Sequence, residues 1–536
     1  ASHRRSTPVC LAASRSCRNA IIIDHFQGES QMSRTLQSLG AWQLLACWCM
    51  ALPTTGFAQN LPAVTIAQFV GPLAVTAESY PQLAAERTQT PVDLSPYGYV
   101  EEEYLISGTA NVYDWATDGS VSVVSSGAPY TTRILVRKPA DPGRFSGDVI
   151  VESVNNARDY DWAFIWSLSW DYLLERGDVF VAVTHNPNGI AALRTFDPQR
   201  YGSLAFANPN PAESCGQSNA GGDAEAGLRW DMFSQLGALL KSGTGPLAGY
   251  QVEYVFGTSH TREMTTYANS VHKQTRLADG GHVYDGFVTK SEYVQVESIR
   301  RCAQAPAEGD ARREVFAAGV PVIRVTSQGD VLETHRVRRE DSDDPADPFR
   351  LWEVAGSAHM DKDYYDFMPL VEDQIKAGQT GFVSNWPMNY ACTPGIDLEK
   401  FPGLNQAMNA AFASLDTWVR EGKAPPRAER IGLRNAGSPE AAFLADESGN
   451  APGGYRSVYL EVPTAYYMTR SPGPGVCGNL GHRFPFAWSR LQDIYGNAAN
   501  YRQRFYEVVD NLVARGWLTG FDARKMRQTP NPLFDP

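Results

Sequence analysis

Residues 148–184 alternate between short apolar runs and one longer run with helical spacing. Residues 148–152 and 179–184 are apolar and rich in β-branched side chains, which is typical of buried strands. Between them, residues 162–175 place apolar side chains at helical spacing and end before Gly177, a residue type that often follows a helix. Strand, helix and strand in this order predict a βαβ unit, whose strands pair in parallel through a right-handed crossover.

The same alternation continues to about residue 356. Further strands are predicted within 99–114 and at 132–137, 252–256, 283–288, 320–326 and 350–354, and helices at 229–240 and 260–272. Strands that alternate with helices favour an α/β architecture with a doubly wound, mostly parallel sheet.

The rest of the chain predicts insertions around this core. We expect the core at 59–360, with a loop-rich lid at 186–228, because loops of that length are usually functional. Residues 361–536 predict a helical and loop extension that packs on the core, with helices near 406–420, 487–495 and 499–515.

The N-terminal region predicts export. The first methionine is Met32, residues 39–52 are largely apolar, and residues 56–58 offer small side chains at a cleavage site. We therefore expect 32–58 to be a signal peptide and 1–31 to lie upstream of the true start. The protein is then secreted or periplasmic, and the sequence does not separate these two. A buried apolar helix is the alternative.

Charge and cysteine content narrow the function classes. The formal net charge is −12, with no basic stripe, which argues against nucleic-acid partners. After residue 58 no apolar run is long enough for stable membrane insertion. The oligomeric state stays open.

Four cysteines follow residue 58, and an even number in an exported protein permits two disulfides. Cys392 and Cys477 both lie in Pro/Gly-rich loops, so we favour that pair, with Cys215–Cys302 as the other. No CxxC spacing occurs, so no metal site is expected. Cys47 offers an alternative, lipoprotein processing.

The segment Tyr254-Val255-Phe256-Gly257-Thr258-Ser259 runs from an apolar strand into a predicted helix. A serine at such a turn, two residues after a glycine, is typical of a nucleophile elbow, in which the serine backbone is strained and the hydroxyl projects outward. Thr261 stands where a second glycine is usual. The alternative is an ordinary turn with a serine that caps the helix.

A nucleophilic serine needs a base, and the base needs an acid that orients it. Asp330 follows the strand 320–326 behind a glycine turn, and Glu333 is the nearby alternative. His359 follows the strand 350–354 and a turn of small residues. The order serine, acid, histidine favours Ser259 as nucleophile, Asp330 as acid and His359 as base.

Other residues are candidates for the remaining parts of such a site. The backbone N–H groups of His260, Asn155 and Asn156 are candidates for an oxyanion hole, and His185, Trp386 and Tyr390 for substrate contacts. An Asn-rich turn and ordinary packing are the alternatives for these assignments.

Several motifs together resemble a family of secreted bacterial α/β-hydrolase-domain proteins, thought to be serine esterases. The matching pieces include residues 151–155, 197–204, 231–235, Gly257-x-Ser259, 352–359, 418–426, 449–456 and 462–465. The resemblance covers about residues 95–530. His260 and Thr261 depart from the family pattern.

The resemblance implies the α/β-hydrolase fold and a triad of Ser259, Asp330 and His359. It also implies hydrolysis of a small-molecule or polymeric ester through an acyl-enzyme, without a metal or organic cofactor. It leaves the ester and its specificity open. A peptidase or lactonase on the same fold, and a non-catalytic binding protein on a hydrolase scaffold, are the alternatives.

Overall fold

Within the described residues, a ten-stranded mixed sheet forms the centre of the protein. The structure, a computed structural model, describes residues 61–528 except 214, 216–221, 261, 291–295, 308, 381–391 and 393–402. The strands are β1 (Gln68–Val70), β2 (Tyr99–Trp115), β3 (Val121–Pro139), β4 (Asp148–Ser153), β5 (Val179–Val183), β6 (Ala205–Phe206), β7 (Tyr254–Ser259), β8 (Gly286–Lys290), β9 (Val322–Ser327) and β10 (Phe349–Val354). All of them belong to one compact unit, Ala58–Pro536.

The order of the strands defines where a ligand can bind. The sheet runs β1-β2-β3-β5-β4-β7-β8-β9-β10, with β6 paired to β3. Strands β5 to β10 along this path are parallel to their neighbours, whereas β1 to β3 and the β3–β5 pair are antiparallel. The chain passes from β4 to β5 on one side and later to β7 on the other, so the carboxyl end of β4 lies at a topological switch point. Open α/β sheets bind ligands at such a point.

Helices alternate with the strands and continue after the last strand of the sheet. They are α1 (Phe164–Arg176), α2 (Pro187–Phe196), α3 (Pro198–Tyr201), α4 (Arg229–Lys241), α5 (Glu263–Ala268), α6 (Val271–Gln274), α7 (Gln328–Thr334), α8 (Lys362–Asp366), α9 (Val371–Lys376), α10 (Leu404–Glu421), α11 (Val458–Glu461), α12 (Trp488–Tyr495), α13 (Ala498–Ala514) and α14 (Gly520–Gln528). The doubly wound α/β prediction is confirmed.

Helix α1 shows how sequence and packing agree. Gly177 ends the helix with a φ of 87°, a left-handed conformation that glycine adopts without a Cβ clash. At the other end, the buried Glu152 carboxylate accepts the backbone N–H groups of Ile165 and Trp166 at 2.9 and 3.0 Å. This side chain joins β4 to the start of α1 and fixes the βαβ unit.

The insertion at 186–228 contains more regular structure than the sequence predicts. Helices α2 and α3 and strand β6 lie within it, although we expected a loop-rich lid. Asn186 accepts the backbone N–H of Asn188 and begins α2, and Asp197 does the same for Arg200 in α3. Such caps at Asn-Pro and Asp-Pro pairs resemble turn signals in a sequence, which explains the difference.

The extension after residue 360 is continuous with the central core. Helices α10, α12 and α13 agree with the predicted helices within three residues at each end. Trp352 on β10 packs against Trp517 of the extension, with ring centroids 5.2 Å apart. Two small antiparallel hairpins, which the sequence does not predict, complete the extension: β11 (Leu433–Arg434) with β12 (Ala442–Phe443), and β13 (Ala465–Met468) with β14 (His482–Pro485).

Both predicted disulfides are confirmed. Cys215 bonds to Cys302 and Cys392 to Cys477, with Cα atoms 5.0 and 5.6 Å apart. In the described part of the chain, none of the helices combines the length and hydrophobicity that a bilayer span requires.

Candidate active site

Ser259 is the last residue of β7 and is completely buried. It pairs in register with Ser153 of β4 on one side and Thr289 of β8 on the other. A Cβ on Gly257 would lie 2.6 Å from the Phe287 ring, so only glycine fits two positions before the serine.

The backbone at the serine differs from the elbow that the sequence predicts. Ser259 is not one of the described non-glycine residues that have a positive φ. Strand pairing continues through it on both sides. The expected continuous helix 260–272 is instead two short helices, α5 and α6. The turn therefore begins only at His260, and Thr261 lies outside the described residues.

Asp330 and His359 meet where the sequence places them. Nδ1 of His359 lies 2.8 Å from Oδ1 of Asp330, and both side chains are buried. The two residues follow the adjacent parallel strands β9 and β10. A Cβ on Gly329 would lie 2.8 Å from the His359 backbone nitrogen, so this close approach of two turns requires glycine.

The geometry separates the two candidate acids. Glu333 forms an ion pair with Arg470 at 2.8 Å and is about one third exposed. Asp330 contacts the imidazole, and its Oδ2 accepts the Ser327 hydroxyl at 2.5 Å. Of the two carboxylates, Asp330 is therefore the one placed to orient His359.

Lys290 is a residue that the sequence analysis missed. Its ammonium donates to Asp330 Oδ2 at 3.2 Å and to the His359 carbonyl oxygen at 3.1 Å, and it lies 3.5 Å from His359 Nδ1. The side chain is completely buried at the carboxyl end of β8. A lysine two residues after the apolar pair Phe287-Val288 was the available signal, since a buried cation requires an anionic partner.

The groups around Asp330 determine its charge. Burial by itself would raise the pKa of Asp330, but the positive charges of His359 and Lys290 and the hydrogen bonds from His359 and Ser327 lower it to about 2. Asp330 is therefore an ionised partner for the imidazole at neutral pH.

The His359 ring lies beside the residue that follows Ser259. Its centroid is 5.2 Å from that of His260, which also stacks on Phe164 at 4.1 Å and meets Tyr364 edge-on at 5.3 Å. Burial lowers the pKa of His260 well below its usual range, and the charges of Lys290 and His359 add to this effect. His260 is thus a neutral aromatic wall of the site.

One candidate oxyanion donor in the Asn155–Asn156 segment already has a hydrogen-bond partner. The backbone N–H of Asn155 donates to the Trp162 carbonyl oxygen at 2.9 Å, which occupies a donor that we considered for an oxyanion hole. The Asn156 side-chain amide donates to Asp161 at 2.5 Å. This leaves the backbone N–H groups of Asn156 and His260 as the candidate donors.

The predicted substrate contacts fall in two groups. His185 is buried, and its Nε2 lies 2.8 Å from the Val154 carbonyl oxygen at the end of β4. Burial, together with the nearby Arg229 charge, lowers the pKa of His185 to about 3, so its ring is neutral. Trp386 and Tyr390 lie outside the described residues.

The chain matches the family model described as "Alpha/beta hydrolase domain" over residues 69–528. It belongs to this family. The predicted α/β-hydrolase fold is thereby confirmed. Among curated proteins, none matches this α/β hydrolase.

The solved structures that match this chain include several hydrolases. A glucuronoyl esterase from Solibacter usitatus is 10% identical, with a TM-score of 0.23, and the match covers 52% of this chain and 74% of that one. A glucuronoyl esterase from Teredinibacter turnerae is 8% identical, with a TM-score of 0.24 and coverage of 52% and 66%. Dipeptidyl peptidase 4 from Porphyromonas gingivalis is 11% identical, with a TM-score of 0.24 and coverage of 47% and 38%. At these scores the likeness says nothing about substrate.

Proposed function

We propose that this α/β hydrolase cleaves carboxylic esters through an acyl-enzyme formed on Ser259. The observation that carries the proposal is the 2.8 Å contact between Asp330 and His359 Nδ1, with the imidazole beside His260, the residue next to Ser259. A carboxylate on Nδ1 fixes the tautomer in which Nε2 accepts a proton from the nucleophile.

The proposed reaction has two steps. Ser259 Oγ attacks the acyl carbon while His359 takes the hydroxyl proton, and the backbone N–H groups of His260 and Asn156 bind the oxyanion. The alcohol leaves with the proton that His359 returns. Water, deprotonated by the same imidazole, then attacks the acyl-enzyme, and the acid product leaves as Ser259 regains its proton.

A serine-directed label tests the nucleophile. We expect a fluorophosphonate to modify the protein at Ser259 and an aryl ester to give a burst of one equivalent of alcohol. Ser259→Ala should abolish both. Ser153→Ala is the matched control, since Ser153 pairs with Ser259 on the neighbouring strand and should leave labelling intact. Labelling of Ser259→Ala equal to that of the unchanged protein would overturn the proposal.

We further propose that the protein is exported. The support is its two disulfides, which form and persist in oxidising compartments. Expression of the full sequence in a bacterium, followed by N-terminal sequencing of the exported product, should give a chain that begins at Gln59. Retention in the cytoplasm at full length would contradict this.

A further inference from the structure

A cavity of about 550 Å³ lies near the carboxyl ends of β5 and β7. Its wall includes Asn186 and Asn188, which follow β5, and Arg262, which follows β7 three residues after Ser259. Strands β5 and β7 flank β4, so the cavity lies along the carboxyl edge that also carries the candidate nucleophile. Its volume falls in the range of small-molecule sites.

The wall of this cavity is unusually basic for an acidic protein. Among the described residues that line it, Glu297 is the one acidic side chain, and four are arginines: Arg229, Arg262, Arg300 and Arg301. The whole chain has 47 Lys and Arg against 59 Asp and Glu. Concentration of cations in one concave surface focuses a positive potential there.

Two of the arginines form ion pairs at 3.3 Å or less. Arg229 contacts Glu297 at 2.6 Å and is almost completely buried. Arg300 contacts Asp114 at 3.0 Å and Glu213 at 3.3 Å, and both carboxylates are about half exposed. We assign Arg229 and Arg300 a structural role in the cavity wall.

Arg301 differs from them. Its Nη1 donates to the Glu213 backbone carbonyl at 2.9 Å and to Cys302 Sγ at 3.8 Å, and its backbone N–H donates to Glu225 at 2.8 Å. Within the described residues, its guanidinium makes no ion pair with a carboxylate, and its Nε is buried without a hydrogen-bond partner. A guanidinium that lines a cavity and lacks a carboxylate partner can form a charge-assisted pair with an anionic ligand.

Arg262 supplies a second donor on the side of the nucleophile. Its side chain is 38% exposed, and its Nη2 lies 3.9 Å from Glu297 Oε1, at the outer limit of an ion pair. Glu297 in the same wall already pairs with Arg229 at 2.6 Å. A carboxylate matches the planar fork of the guanidinium.

We propose that this arginine cavity binds a carboxylate carried by the ester substrate, so the natural substrate is an acidic ester. This inference rests on the proposed esterase function. The carboxylate can belong to the acyl part or to the alcohol part, and both share the chemistry that Arg262 and Arg301 recognise.

Matched ester pairs test the inference and separate these two sources. The acyl arm compares methylumbelliferyl hemisuccinate with methylumbelliferyl butanoate. The alcohol arm compares meta-carboxyphenyl acetate with phenyl acetate. In one arm we expect kcat/KM for the charged ester to exceed that of its neutral partner by about tenfold or more, as for a charge-assisted contact.

Arginine variants test whether the cavity causes the preference for the charged ester. Arg301→Gln and Arg262→Gln should each reduce the charged-to-neutral ratio by about tenfold. Arg524→Gln is the matched control, because Arg524 is exposed on α14 and pairs with Glu175. A ratio near one in both arms, or a ratio unchanged in both cavity variants, would overturn the inference.

A binding measurement keeps the inference separate from catalysis. Titration calorimetry of Ser259→Ala with succinate and with carboxyphenyl acetate should show binding that Arg301→Gln weakens by about tenfold. If the cavity binds a carboxylate but the unchanged protein hydrolyses no ester, the proposed function is refuted and the carboxylate site stands. If the protein hydrolyses neutral esters but binds no carboxylate, the proposed function stands and the carboxylate site is refuted.

Discussion

The ammonium of Lys290 lies 3.2 Å from Oδ2 of Asp330, while the other oxygen of that carboxylate faces His359 at 2.8 Å. Lys290 is completely buried and Asp330 nearly so. A carboxylate that accepts hydrogen bonds from an imidazole and an ammonium can stay ionised away from water, whereas an unpaired buried charge is costly. We therefore expect Lys290 to act as a positioning residue for the proposed acid and base.

Lys290→Met should shift the acid limb of the kcat/KM profile. The positive charge of Lys290, 3.5 Å from His359 Nδ1, disfavours protonation of the imidazole. Its removal favours protonation, so activity should fall at a pH about one unit higher than in the unchanged protein. Because the loss of a buried partner also destabilises the fold, the profile is measured below the melting temperature of the variant. Lys525→Met, at an exposed lysine on α14, is the control, and an unchanged acid limb in folded Lys290→Met would contradict this role.

Asp330→Asn and Glu333→Gln should differ widely in activity. The amide introduced by Asp330→Asn would hold the imidazole in the wrong tautomer, so kcat should fall by a factor of about 10⁴. Glu333 pairs with Arg470 at the surface, so its neutralisation should change kcat by less than about threefold. Steady-state hydrolysis of an aryl ester measures both. Similar losses in the two variants would show that the acid has been assigned incorrectly.

The same aspartate should contribute to stability in a pH-dependent manner. Its pKa falls from 3.8 in the unfolded chain to about 2 in the folded protein. Its stabilisation is therefore present above pH 3.8 and is lost as the pH falls through 2, and it amounts to about 2 kcal/mol. Urea unfolding of the unchanged protein and Asp330→Asn should give a difference in unfolding free energy that is largest near about pH 5 and narrows towards about pH 2. A pH-independent difference would contradict the depressed pKa.

Chain order and local pattern were enough to predict the sheet, both disulfides and the close approach of Asp330 to His359. The sheet and this approach follow from parallel strands whose carboxyl ends meet at one edge. Lys290 and Arg301 were not predicted, because the partners of a buried cation depend on register and on segments distant in sequence. The Asn155 N–H was one candidate oxyanion donor, and its partner was not predicted for a similar reason: the chain returns at Trp162, whose carbonyl oxygen accepts this N–H.

Gly329→Ala tests whether the approach of two turns sets the geometry of the site. The new Cβ would lie 2.8 Å from the His359 backbone nitrogen and 3.1 Å from the Thr469 carbonyl oxygen, and neither backbone atom can move independently. The turn that carries His359 must shift away from Asp330, so we expect kcat to fall by about tenfold or more, with a loss of about 1–3 kcal/mol in unfolding free energy.

Gly520→Ala is the matched control for that substitution. At the start of α14 the nearest atom to a new Cβ is the end of the flexible Arg524 side chain, at 3.9 Å. Alanine favours helix there, so stability should hold or rise slightly while activity is unchanged. If Gly329→Ala lost stability but kept full kcat, the imidazole would be held by contacts other than this approach, with Lys290 on the His359 carbonyl oxygen as the first to examine.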